Sequence, residues 1–128
     1  MKRGFTLIEV LVAVTIIAVL IYIGVVSYSS VNKRSRDAKR KGDVEQLRSA
    51  LEMYRADIGS YPANPLVLVP DFDDVSVLED ALVTTGTYMP SIPSDPKTTQ
   101  TYRYKATNAS GTKYYGYCLS AALETTVT

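Results

Sequence analysis

From Phe5 to Val31 the chain carries one charged side chain, Glu9. A stretch this long and this apolar is enough to cross a bilayer as a helix, the form in which a single segment satisfies all its own backbone polar groups. The rest of the 128-residue chain holds one small domain, not two. Glu9 is the anomaly. An acid inside a membrane helix is costly, so it calls for a partner or for an escape to the headgroups near the helix end.

The surroundings of Glu9 are specific. Lys2-Arg3-Gly4-Phe5-Thr6-Leu7-Ile8-Glu9, leading into the apolar run, resembles the N-terminal signature of type IV pilins and of the pseudopilins of type II secretion. The resemblance is strong from Lys2 to about Val31 and looser beyond. It implies a leader over residues 1–4, cut between Gly4 and Phe5 by a membrane prepilin peptidase, with N-methylation of Phe5. It implies a transmembrane and filament-core helix over 5–32. Residues 33–128 would then form a soluble pilin-like domain. Glu9 would be the assembly residue that meets the Phe5 amine of a neighbouring subunit. That amine lies four residues before the carboxylate, one helical turn away, so a pair within one subunit is equally open.

Charge and composition narrow the alternatives. The formal charge is +1, and loss of Lys2 and Arg3 with the leader takes it to −1 before the new amine is counted. Nothing in that balance points to a protein built mainly to bind nucleic acid. There is no His, the commonest metal ligand and near-neutral acid–base group. Cys118 is the only cysteine, so no intramolecular disulfide forms, unlike the many pilins with a paired cysteine near the C-terminus. A cleaved secretory signal would need a small-residue site after its core, and Ser27-Tyr28-Ser29-Ser30 is a poor match. A signal anchor has a stronger case. Lys33, Arg34, Arg36, Lys39, Arg40 and Lys41 follow the helix and only Lys2 and Arg3 precede it, so the positive-inside rule alone places the C-terminal part in the cytoplasm. The resemblance places it outside.

The helix continues past the basic residues. Val44, Leu47, Leu51, Tyr54 and Ile58 recur at helical spacing as one apolar stripe, with Glu45, Arg48, Glu52 and Arg55 off it. Glu45–Arg48 and Glu52–Arg55 are spaced for i,i+3 ion pairs. Gly59 and Pro62 end the helix. A helix from Phe5 to Ile58 would be about 80 Å long, half for a membrane and half for a soluble domain.

Beyond it, Ser76-Val77-Leu78-Glu79 has the capping-box form and predicts a short helix to about Val83, with Leu78 and Leu82 inward and Gly86 as its stop. The segment from Tyr88 to Pro96 reads as a rigid Pro-rich loop. Residues 101–120 predict a β-hairpin. Tyr102, Tyr104 and Ala106 share a face of the first strand, Asn108-Ala109-Ser110-Gly111 makes the turn, and Lys113–Ser120 returns. A third short strand is expected near Leu123–Val127. The fold class is α+β: a long N-terminal helix, transmembrane then amphipathic, packed on a small C-terminal antiparallel sheet.

Several features have two readings. The basic run Lys33–Lys41 reads first as a solvated helix face or a partner for acids on neighbouring subunits, then as a contact for anionic lipid headgroups, and last as a DNA contact. Asp71-Phe72-Asp73-Asp74 reads as a solvated loop before a Ca²⁺ site. Major pseudopilins often hold Ca²⁺ in a C-terminal loop, yet only Asp95 and Glu124 supply carboxylates there, which argues against that site. The tyrosine row reads as half-buried sheet packing. Asn108-Ala109-Ser110 reads as a turn rather than a glycosylation sequon, and Cys118 as a small core residue.

No nucleophile–base pair, metal-ligand spacing or phosphate loop appears. The expectation is therefore a structural subunit, not an enzyme, with no cofactor and no metal. The resemblance implies a homo-oligomeric pilus or pseudopilus, with the prepilin peptidase, an inner-membrane platform protein and an assembly ATPase as partners. Before assembly the subunit would be a single-pass protein of the inner membrane. The alternative is a single-pass signal-anchored protein presenting a small binding domain.

Overall fold

The computed structural model describes residues 4–63 and 72–125, with the side chains of Val26 and Ser27 excepted. The chain divides into two compact units, Met1–Ser35 and Arg36–Thr128. Helix α1, Leu7–Ile58, supplies most of the first and opens the second.

In the first unit every described side chain from Gly4 to Val31 is exposed. Phe5 and Leu7 are 87% and 86% exposed. Burial of apolar surface is worth roughly 25 cal/mol per Å², so this surface requires lipid or protein against it. By length and composition the helix can cross a membrane.

The second unit is α+β. Gly59, at φ +81°, ends α1, and its N–H donates to the Arg55 carbonyl at 2.8 Å. A left-handed residue at this position is a common helix exit, and glycine adopts it without a Cβ clash. The sheet has three antiparallel strands in the order β1 (Asp73–Asp74), β2 (Arg103–Ser110), β3 (Lys113–Ser120). The core joins Leu47, Ala50 and Leu51 of α1 to Tyr61, Val75, Leu78, Leu82, Met89, Tyr102 and Tyr104. Tyr54 packs against this cluster, whereas Ile58, the last of the predicted stripe, is 52% exposed.

Four local expectations change. The hairpin turn is Gly111-Thr112, with Ser110 paired to Lys113 and Gly111 at φ +64°. Asn108–Ser110 stay in the strand because a glycine at the first central position suits a two-residue hairpin loop. The short helix is a 3₁₀ turn, Val75–Leu78, followed by a π turn, Asp80–Thr84. Its cap is Asp74, whose carboxylate accepts from the Ser76 N–H at 2.8 Å and so pre-empts Ser76. Leu78 and Leu82 do point inward. The third strand is β1, and the described part of the other candidate, Leu123–Thr125, is not a strand; residues 126–128 lie outside the description. Cys118 is exposed. It pairs with Lys105 on the outward face, while its neighbours Tyr117 and Leu119 pack toward the core.

The tyrosine row is mainly packing. Tyr102 and Tyr104 are buried, and Tyr61 and Tyr117 meet edge to face with ring centroids 4.6 Å apart. The Tyr104 hydroxyl donates to the Pro62 carbonyl at 2.7 Å. Glu45–Arg48 is a loose exposed pair at 3.7 Å. Glu52 and Arg55 instead meet through the Tyr61 hydroxyl, which donates to Glu52 Oε1 and accepts from Arg55 Nη1, both at 3.0 Å.

Candidate functional site

Gly4, Phe5, Thr6 and Glu9 line one open hollow at the start of α1. Thr6 precedes the first helical residue, and Glu9 is the third residue inside. The Thr6 N–H and hydroxyl donate to Glu9 Oε2 at 2.8 and 2.7 Å, and the Glu9 N–H reaches the Thr6 hydroxyl oxygen at 3.4 Å. This is a reciprocal capping box, which satisfies first-turn N–H groups and favours a negative charge beside the helix N-terminus. Its signal was present in Thr6-Leu7-Ile8-Glu9, a Thr with Glu three residues on. Among the described residues no bond falls on Oε1, so the carboxylate keeps an oxygen for a further donor. The acid is held by its own chain without being consumed.

The second concentration of chemistry lies wholly in the other unit. Arg40 is buried, and all five of its N–H donors are used. Nε donates to Asp95 Oδ2 at 2.7 Å; Nη1 donates to Asp37 Oδ1 at 2.8 Å and Glu124 Oε1 at 2.9 Å; Nη2 donates to Asp95 Oδ1 at 2.9 Å and Gln100 Oε1 at 2.8 Å. Arg36 donates through Nε and Nη2 to the two oxygens of Glu124, each at 2.6 Å. Lys97 Nζ reaches Glu124 Oε2 at 2.7 Å. Asp37 accepts from the backbone N–H groups of Glu124 and Thr125 and from the Thr125 hydroxyl. Next along α1, the Tyr102 hydroxyl donates to buried Asp43 at 2.6 Å.

The electrostatics follow from these contacts. Hydrogen bonds from Thr125 and the Glu124 amide, with help from Arg40, hold Asp37 well below the ordinary carboxylate range. Arg36, then Lys97 and Arg40, do the same for Glu124, and Arg40 lowers Asp95. Burial and the Asp43 carboxylate push the Tyr102 phenol up.

The network revises the reading of the basic run. Arg36 is half-buried and Arg40 buried, both paired inside their own unit, whereas Lys33, Arg34, Lys39 and Lys41 are exposed. The apolar stripe held the clue. Stepping back from Leu51 and Leu47 by helical turns reaches Asp43 or Val44, then Arg40, then Asp37 and Arg36. Of the acidic cluster, Asp73 and Asp74 belong to β1 and the Asp74 cap rather than to a free loop, and Asp71 lies outside the described residues.

The profile described as Prokaryotic N-terminal methylation motif matches residues 1–21, and that described as Type II secretion system (T2SS), protein G matches residues 28–119. Type II secretion system core protein G of Pectobacterium carotovorum subsp. carotovorum is 36% identical over 62 residues, 48% of this chain and 40% of that protein. Pilin-like protein PilA3 of Thermus thermophilus is 36% identical over 59 residues, 45% of this chain and 25% of that protein. Core protein G of Aeromonas hydrophila is 30% identical over 100 residues, 74% of this chain and 67% of that protein. The chain thus spans less than half the length of the first two relatives. No solved structure matches it.

Proposed function

This chain belongs to the type II secretion system protein G family, and from that premise we propose that it is a structural subunit polymerised through its N-terminal helix. The observation that carries the proposal is the first unit: the described apolar side chains from Phe5 to Val31 are exposed, and Glu9 is the lone charge of that stretch. Before assembly, lipid covers that surface. After assembly, the helices of neighbouring copies cover it. A prepilin peptidase would remove residues 1–4, and Phe5 would be methylated. The new ammonium would pair with a Glu9 carboxylate, which the Thr6 cap already holds at the same end of the helix. An inner-membrane platform and an assembly ATPase would move subunits out of the bilayer. The product is a pseudopilus or pilus, and the subunit itself carries out no reaction.

In this reading residues 33–128 lie outside the cytoplasm before assembly. The opposing charge bias is weaker than its count. Arg36 and Arg40 are neutralised by Glu124, Asp37 and Asp95, leaving Lys33, Arg34, Lys39 and Lys41 as the exposed cations of the run that follows the apolar stretch of α1.

Glu9→Ala tests the role of the carboxylate. The variant should lose filaments while leader cleavage proceeds. Filaments of normal number and length from Glu9→Ala would remove the pairing from the account. If the C-terminal unit is instead protected from protease added to spheroplasts, the chain is a signal anchor facing the cytoplasm.

A further inference from the structure

Major pseudopilins often hold a Ca²⁺ ion in a C-terminal loop, and the donor set of this chain does not fit it. Calcium takes six to eight oxygen ligands. The carboxylates that the loop and C-terminal segment offer are Asp95 and Glu124, and both oxygens of each already accept from cationic side chains. Asp95 Oδ1 also accepts from the Lys97 N–H, and Glu124 Oε1 from Arg40. Asp37, the third carboxylate, holds the Glu124 and Thr125 amides. Three cations, Arg36, Arg40 and Lys97, face three anions, Asp37, Asp95 and Glu124. A divalent cation would add charge to a balanced cluster and displace a guanidinium whose five donors are all satisfied.

We propose that the Arg40 guanidinium is the built-in cation that closes the C-terminal part of this protein, so that the closure needs no metal. Arg40 sits on α1 and ties three separate pieces together. Asp95 and Gln100 belong to the loop before β2, Glu124 to the segment after β3, and Asp37 to the preceding turn of α1. The planar fork suits this task, since it presents fixed donors in several directions while a lysine ammonium would not. The closure is a property of the second unit and holds whether or not the chain forms filaments.

The test uses the full chain in detergent micelles. Thermal unfolding is followed by the near-ultraviolet circular dichroism of the tyrosines, with excess EDTA or with millimolar Ca²⁺. The expected result is one midpoint in both conditions, and no heat of calcium binding by calorimetry. A ligand that binds the native state raises stability with its concentration, so a midpoint that climbs with Ca²⁺ and falls with EDTA would overturn the proposal. In a second arm, Arg40→Met should make the segment after β3 the first site of limited proteolysis. An Arg40→Met chain with that segment as protected as in the wild type would also overturn it. If Arg40→Met fails to fold, the wild-type comparison still decides.

Discussion

Arg40 and Asp95 lie 55 residues apart in sequence and meet at two points, Nε to Oδ2 at 2.7 Å and Nη2 to Oδ1 at 2.9 Å. Both side chains are almost fully removed from solvent. Charge-assisted, two-point pairs of this kind fix geometry as well as charge. The helix face that carries hydrophobic contacts lower down thus ends in an ionic one, and the loop before β2 is pinned to it.

Removing the guanidinium leaves three carboxylates facing one another with reduced compensation. Arg40→Met should therefore destabilise the second unit by about 3–5 kcal/mol, the range for breaking a buried pair from one side. Arg40→Lys keeps the charge but loses the fork, and should fall between the two. Chemical denaturation followed through the tyrosines measures both.

Acid should act on the same cluster. The folded-state carboxyls of Asp37, Asp95 and Glu124 are all depressed. Depressed acids contribute stability that is fully present above their unfolded values, about 3.9–4.3, and that is lost as pH falls toward their folded values. The second unit should hold its stability from neutral pH down to about 5 and lose it progressively below about 4. In Arg40→Met, Asp95 loses the donor that chiefly depresses it while Asp37 and Glu124 keep their leading donors, so the acid loss should be only somewhat shallower. Unfolding midpoints across that pH range test the slope.

The core predicts its own losses. Leu51 of α1 is fully buried in the core, and Leu51→Ala should cost about 2–5 kcal/mol by lost burial and a residual cavity. Tyr104→Phe keeps the ring but strands the Pro62 carbonyl, which should cost about 1–3 kcal/mol. Equilibrium denaturation of the two variants separates packing from hydrogen bonding.

The Thr6–Glu9 cap should be visible in exchange. Thr6→Val removes the hydroxyl that donates to Glu9 and accepts from its N–H. Amides of the first turn should exchange faster in micelles, while Thr6→Ser should preserve their protection. Equal exchange in all three chains would mean that the cap does not persist in the membrane.

Much of the fold was legible because its signals are local. One apolar run, a stripe at helical spacing, a glycine at the helix exit and alternating tyrosines each act over a few residues. The Arg40 cluster was not legible, because residues 37, 40, 95, 97 and 124 have no common spacing and come together only when the loop and the C-terminal segment fold back. Within a basic run, Arg36 and Arg40 look like Lys39 and Lys41; only the phase of the stripe separates them. The exposure of Cys118 depended on strand register, and alternation alone does not say which face meets the helix. The Asp74 cap competed with Ser76 two residues away, and a shift of that size lies within the reach of either oxygen.

The filament reading rests on the N-terminus of the protein in its native membrane, read by mass spectrometry. A chain that begins at N-methylated Phe5 is the predicted result. A chain that still begins at Met1, with an active prepilin peptidase in the same cells, would contradict it and favour the signal anchor.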